Sequence, residues 1–197
     1  VGKTTTAINL AAALAGIGKK ILILDLDPQG NASTGLGIEY SERGNSIYEV
    51  LSNTISFDEG VKKTNLENLF IIPSNVELSG IEPELANEND KAFVLKSLMN
   101  NSDSINKYDY VFIDCPPALS LLTVMAMTAA SSVLVPLQCE FFALEGLSQL
   151  IKTVDRVHKN LNPSLSIDGI ILTMFDKRNK LSTQVAMDVK KHLQEKV

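Results

Sequence analysis

The chain has only two cysteines, Cys115 and Cys139, among 197 residues. They are too few for a disulfide framework and too far apart for a C-x-x-C metal or redox motif. Such sparse thiol usage predicts a reducing, cytoplasmic setting. No run of eighteen or more uninterrupted apolar residues occurs, so no membrane-spanning helix is written in the sequence. Low-complexity stretches, proline-rich linkers and internal repeats are also missing. With 45% apolar residues available for one good core, this predicts a single α/β domain over residues 1–197. His158 and His192 fall in helical patterns without an acidic or cysteine partner at ligand spacing, so neither is assigned a metal role. Positive charge is not in excess either. The formal balance of −5 offers no general attraction to nucleic acid, and DNA binding would need a local basic patch.

What the chain does carry begins at its first residues, Val1-Gly2-Lys3-Thr4-Thr5-Thr6. They read as the second half of the phosphate-binding loop G-x-x-x-x-G-K-[ST] running into a helix. Gly2 would let the backbone approach a phosphate, Lys3 would reach the β- and γ-oxygens, and the Thr4 hydroxyl would hold a bridging magnesium ion. The amides and positive dipole end of the helix would face the same phosphates. The bare tripeptide Gly2-Lys3-Thr4 equally fits a helix start with a solvated lysine, so the rest of the chain has to decide. Val1 falls inside the motif, after its leading glycine and the strand that feeds it. A piece of a longer protein, poorly stable by itself and weak in ATP binding, is therefore the expectation.

Apolar spacing predicts a helix over 5–17, then a strand over 20–24 whose consecutive Ile21, Leu22, Ile23 and Leu24 suit a parallel sheet buried on both faces. A polar, glycine-rich run from Asp25 to Gly37 follows, at the strand end where open α/β sheets bind ligands. In the less informative middle, helices are expected over 47–51, 76–85 and 91–99, and a strand over 69–72. Tyr110 to Asp114 is a second buried strand with an acidic tip, followed by Cys115-Pro116-Pro117. Asp114 there fits either a second magnesium-coordinating group or a cap on the next helix. Further helices are expected over 121–130, 143–161 and 182–196, and strands over 132–136 and 167–174, the last broken near its start by Gly169. In the helix over 143–161, Leu144, Leu147, Leu150, Ile151, Val154 and Val157 are expected inward. The alternation gives a doubly wound, mostly parallel sheet with helices on both faces.

Gly2-Lys3-Thr4-Thr5-Thr6, Asp25-Leu26-Asp27-Pro28-Gln29-Gly30-Asn31, Phe112-Ile113-Asp114-Cys115-Pro116-Pro117, the stretch from Pro136 to Gly146 and that from Leu172 to Arg178 together resemble the ParA/Soj family of partitioning ATPases. That family sits in the deviant-Walker group of P-loop NTPases, which also holds MinD. The resemblance covers nearly the whole chain, and several ordered motifs at matching spacing are far more specific than any one of them.

The resemblance implies ATP and magnesium as cofactors. By similarity, Val1 to Thr5 bind nucleotide and Lys3 stabilises charge on the transferred phosphoryl group. Thr4 ligates magnesium, and Thr5 adds a contact to the α-phosphate. Asp27 orients the attacking water within a switch loop, Asp25 supports the metal shell or the loop, and Asp114 reaches magnesium through water. A signature lysine that contacts the partner's nucleotide across a sandwich dimer precedes Val1 in relatives. Arg178, beside Lys177 and Lys180, would contribute to non-sequence-specific DNA binding, or else be a solvated loop charge. Thr173 to Asp176 falls where adenine is read. The implied function is a weak, ATP-dependent dimeric switch, nucleoid-associated and without a membrane partner. A ParB-like centromere-binding protein would stimulate it during chromosome or plasmid partitioning. A MinD-like membrane-cycling ATPase and a nucleotide-gated scaffold are the alternatives; Asp-Cys-Pro-Pro and Glu-Phe-Phe-Ala-Leu-Glu-Gly favour the first reading, and the retained Asp27 speaks against a scaffold. A nitrogenase-type iron protein shares such a core, but Cys115 in its turn and Cys139 without glycine-rich flanks read as inert thiols.

Overall fold

Ile21, Leu22, Ile23 and Leu24 are all fully buried, as a strand covered on both faces requires. The structure, a computed structural model, describes residues 2–193, without the side chains of His192 and Leu193. Val1, expected to touch nucleotide, and the end of the last expected helix lie outside the described residues. The chain divides into two compact units, one formed by Thr4–Ala129 and the other by the chain from Ala130 onward together with the first residues up to Lys3.

The first unit begins with α1 (Lys3–Gly16), β1 (Ile21–Asp25) and α2 (Asn31–Gly35), followed by α3 (Ile47–Leu51) and α4 (Phe57–Gly60). After β2 (Lys62–Lys63) and β3 (Leu69–Ile72) come α5 (Ile81–Glu84), α6 (Val94–Asn100), β4 (Tyr110–Asp114) and α7 (Leu121–Ala129). The sheet runs in the order β2-β3-β1-β4. β1 is parallel to β3 (Ile21 opposite Leu69) and to β4 (Asp25 opposite Asp114). The alternation of β1 splits the core into two layers. Leu22 and Leu24 pack with Ile47, Leu51, Leu95 and Met125 of the helices on one face. Ile21 and Ile23 pack with Ala11, Ala15 and Ala32 on the other. The chain leaves β1 towards β3 on one side and returns to β4 on the other, so the crevice at the carboxyl ends of β1 and β4 is a topological switch point.

In the second unit β5 (Ser132–Gln138) and β6 (Ser166–Thr173) pair in parallel. They pack with α8 (Ala143–Asn160) and α9 (Lys180–Leu193) around Val135, Leu137, Leu147, Ile170, Val185 and Val189. Gly169 marks an irregularity, as expected. Val133 pairs with Ile167 but Leu134 with Gly169, leaving Asp168 as the extra residue of a bulge.

Three local expectations are corrected. The single helix over 76–85 is instead a 3-10 turn (Val76–Gly80), α5 and another 3-10 turn (Leu85–Asn87). A helix continuing from Val76 would need an N–H from Pro83, which has none. Restarting at Ile81 puts Pro83 in a first turn, where no donor is required. The helix expected over 91–99 likewise opens with a 3-10 turn (Lys91–Phe93) before α6. Leu144, assigned inward on α8, is 38% exposed and sits beside exposed Phe141 and Phe142, whereas Leu147, Val154 and Val157 are buried. Besides the single turn α4, two elements had no legible pattern. One is β2, two lysines antiparallel to β3 at the sheet edge, where charge discourages further pairing. The other is α2, one helical turn inside the polar run.

Gly60 closes α4 against the sheet. A Cβ there would come within 2.8 Å of Val50 Cγ2 and 3.3 Å of Ile72 Cγ2, both on fully buried residues. Gly60→Ala should therefore cost about 1–3 kcal/mol, seen as a lowered urea midpoint. An unchanged midpoint would mean that the contact relaxes freely.

Candidate nucleotide site

Gly2 has φ +85°, a conformation that glycine adopts without penalty. A Cβ there would lie 3.5 Å from Thr173 Cγ2, an ordinary contact, so the backbone angle and not crowding calls for glycine. Lys3 opens α1 immediately afterwards, and Thr4, Thr5 and Thr6 complete its first turn, which carries no acidic side chain. The unpaired amides of this turn and the positive end of the dipole form an anion-binding terminus. α1 packs Ala11 and Ala15 on Ile21 and Ile23 and reaches β1 through a short connection over residues 17–20. It therefore runs antiparallel to β1, and Thr4 and Thr5 lie at the end of the sheet where the strands finish.

Three carboxylates collect at that end. Asp25 and Asp114 face each other across the last pair of β1 and β4, and Asp27 follows on the loop. Their exposures are 0%, 3% and 8%, so all three are withdrawn from bulk water. Asp25 is engaged with its own loop: one oxygen accepts from the Ser33 amide at 2.8 Å and the Ser33 hydroxyl at 2.7 Å, and the other from the Asp27 amide at 3.3 Å. The Ser33 hydroxyl oxygen also accepts the Ser74 amide at 2.9 Å, joining the exits of β1 and β3. Burial pushes the Asp25 carboxyl above its ordinary value, against the opposing bonds from Ser33. These contacts tie Asp25 to the loop that follows β1.

The carboxylate of Asp27 accepts the Gln29 amide at 3.0 Å, while its backbone carbonyl accepts the Gly30 amide at 2.8 Å. Asp27, Pro28, Gln29 and Gly30 thus form a tight turn, with Gly30 at φ +62° as the N-cap of α2. Asp114 ends β4, and its carbonyl accepts the Leu26 amide at 2.8 Å. In the first turn of α7 the Leu122 amide donates to Glu82 at 3.3 Å. Among the described residues no group of three or more His, Cys, Asp or Glu side chains could hold a metal ion. What is present, a threonine hydroxyl at a helix N-terminus and an acidic strand tip, fits magnesium that arrives with phosphates and keeps much of its water.

Arg178 belongs to the second unit. Its Nη2 donates to Asp176 at 2.8 Å and its Nε at 3.0 Å, and the Arg178 amide adds a bond of 2.9 Å. This fork lowers the Asp176 carboxyl and offsets the arginine charge, leaving Lys177 and Lys180 exposed beside it. Cys139 is buried and its thiol pushed up by desolvation, as an inert thiol should be. His158 bonds the Leu165 carbonyl at 2.9 Å. Ser33 and Ser74 are the contributors that the sequence hid. Ser33 lay unmarked in the polar run, and Ser74 reaches the site only because β3 pairs with β1.

Asp25 carries a pH signature. A folded-state pKa raised above the ordinary 3.8 means that the contribution of Asp25 to stability is whole below that value. It is lost as pH rises through the folded-state value. Against an Asp25→Asn variant, which does not titrate, the nucleotide-free wild type should therefore lose relative stability upward from about pH 4 and then level off. Urea denaturation across that range would show it, and a gap independent of pH would contradict it.

Comparison with known proteins agrees with this geometry. A family model described as an AAA domain matches residues 1–167. The chain is 52% identical over all of its length to the chromosome partitioning protein ParA of Caulobacter vibrioides, covering 74% of that protein. It is 48% identical, again over all of its length, to the sporulation initiation inhibitor protein Soj of Bacillus subtilis, covering 77% of it. Among solved structures, cobyrinic acid a,c-diamide synthase from Mycobacterium smegmatis with bound ATP analogue and magnesium superposes with a TM-score of 0.90 at 35% identity. That superposition covers 98% of this chain and 78% of the other. With its glycine-led helix terminus and acidic strand tips, the chain belongs to the ParA/Soj family of P-loop partitioning ATPases.

Proposed function

We propose that the chain is an ATP-timed switch for DNA segregation. It hydrolyses ATP weakly, dimerises with ATP bound, holds DNA without sequence preference while in that state, and lets go on hydrolysis. The observation that carries the reading is the Asp27 turn, a buried carboxylate held at the switch-point crevice beside Asp25 and Asp114. Lys3 and the first-turn amides of α1 take the phosphates, and the hydroxyl of Thr5 adds a contact. Thr4 would ligate the magnesium bound with the nucleotide, and Asp114 would reach it through water. Magnesium bound with the nucleotide neutralises charge on the phosphate oxygens. Asp27 accepts a hydrogen bond from the attacking water and aims it, and its loop responds to the loss of the γ-phosphate. Residues 1–197 act as one ATPase domain in the cytoplasm, associated with the nucleoid. A centromere-binding partner resembling ParB accelerates turnover. No described helix is long and apolar enough to cross a membrane.

Asp27→Ala tests the switch. ATP turnover should fall by about 10²-fold or more, with ATP affinity kept and DNA binding prolonged in ATP. Unchanged turnover and release would leave a nucleotide-gated scaffold instead.

The pairing of Arg178 with Asp176 tests the DNA surface. Asp176→Asn frees the guanidinium and should tighten binding to non-specific duplex several-fold at low salt, with the gain shrinking as salt rises. No change at any salt would remove Arg178 from that surface.

A further inference from the structure

Arg43 is only 7% exposed, yet among the described residues no carboxylate stands within ion-pair distance of it. Its guanidinium has five N–H donors, and they meet neutral acceptors from three separate segments. Nε and Nη2 donate to the Ile38 carbonyl at 3.2 and 2.8 Å, and Nη2 also to the Thr34 hydroxyl at 2.8 Å. Nη1 lies 3.4 Å from the carbonyls of both Gly30 and Ser74. The bare Cα of Gly30 makes room for this. A Cβ there would overlap Nη1 and come 3.0 Å from the Ser74 carbonyl.

A buried cation without a counter-charge is costly to desolvate, and an apolar side chain would fill the same space more cheaply. No apolar side chain could tie three carbonyls together. Lysine, with three donors and no planar fork, could not bond the Thr34 hydroxyl and all three carbonyls at once. Ser74 joins this clamp to the Asp25 clamp, since its amide goes to the Ser33 hydroxyl while its carbonyl takes Arg43. The Asp27 turn is therefore held at both ends, by Asp25 at the Asp27 amide and by Arg43 at the Gly30 carbonyl.

We propose that Arg43 is the positioning residue of the Asp27 turn, holding Gly30 against the end of β3 so that the Asp27 carboxylate stands ready for the attacking water. This rests on the reading of Asp27 given above. Arg43 never touches the nucleotide and acts through the turn alone.

The test uses Arg43→Lys and Arg43→Ala in the full-length protein, with Asp27→Ala as reference. Three quantities are read: ATP turnover, ATP affinity, and amide hydrogen exchange at Gly30 and Thr34. Misplacement of a water-orienting group should lower kcat about tenfold or more, while the dissociation constant for ATP stays within about threefold. Exchange at Gly30 and Thr34 should quicken while the β1 amides stay protected. Guanidinium at non-denaturing concentration should restore part of the turnover of Arg43→Ala. Turnover equal to wild type, or turnover, affinity and protection of the whole unit falling together, would overturn the proposal. If Asp27→Ala retains full turnover, the role of Asp27 is wrong, and exchange alone then judges the clamp. Local quickening at Gly30 and Thr34 upholds it, and unchanged exchange there overturns it.

Discussion

Parallel pairing of β1 with β3 on one side and β4 on the other, with water excluded from both faces, is the constraint on which the rest of the first unit depends. A parallel strand needs long crossover connections, and these supply the helices that cover the faces. The crossovers leave the strand ends as the place where polar residues can gather. Ile21 to Leu24 are silent apolar filling, and the chemistry begins one residue later at Asp25. The same alternation that sends Leu22 and Leu24 to one layer and Ile21 and Ile23 to the other fixes where α1 lies, and hence where its first turn points.

Electrostatically the crevice is arranged by hydrogen bonds. Asp25, Asp27, Asp114 and Arg43 are all at least nine-tenths buried, yet the arginine and the acids are not joined in a direct ion pair. Ser33 and Ser74 stand between them, passing contacts from carboxylate to hydroxyl, amide and carbonyl. A polar network of this kind rigidifies the backbone it binds, because releasing any of these contacts leaves a further buried group unpaired beside the Ser74 hydroxyl, which has no partner among the described residues. The Arg178–Asp176 fork is the contrasting case. It is an exposed pair between residues two apart in sequence, with solvent screening on every side.

Much of this was legible without coordinates. The strands around Ile21 to Leu24 and Tyr110 to Asp114, the helix after Gly2-Lys3-Thr4, and the acidic tips at Asp25, Asp27 and Asp114 follow from local pattern. Continuous apolar runs and glycine-led helix starts are properties of neighbours in sequence. The helix over 76–85 was misread because its apolar spacing was weighed without the missing donor of Pro83, and β2 because two lysines carry no alternation. Leu144 has the spacing of its inward neighbours yet lies exposed, since the position of α8 against β5 and β6 decides which part of its apolar stripe is covered.

By itself, then, the sequence determined the alternation of strands and helices, the glycine-led start of α1 and the acidic residues at the strand ends. Each of these depends on side chains a few positions apart. The tertiary structure alone decided that Ser74 would close on Ser33, forty-one residues away. It alone decided that Arg43 would be buried without a counter-charge on Gly30, Ile38 and Ser74. An arginine in a run of polar residues has the same local signature whether it ends in water or beneath a loop. The difference arises only when the parallel register brings the exits of β1 and β3 side by side and their carbonyls need donors that no neighbour in sequence supplies.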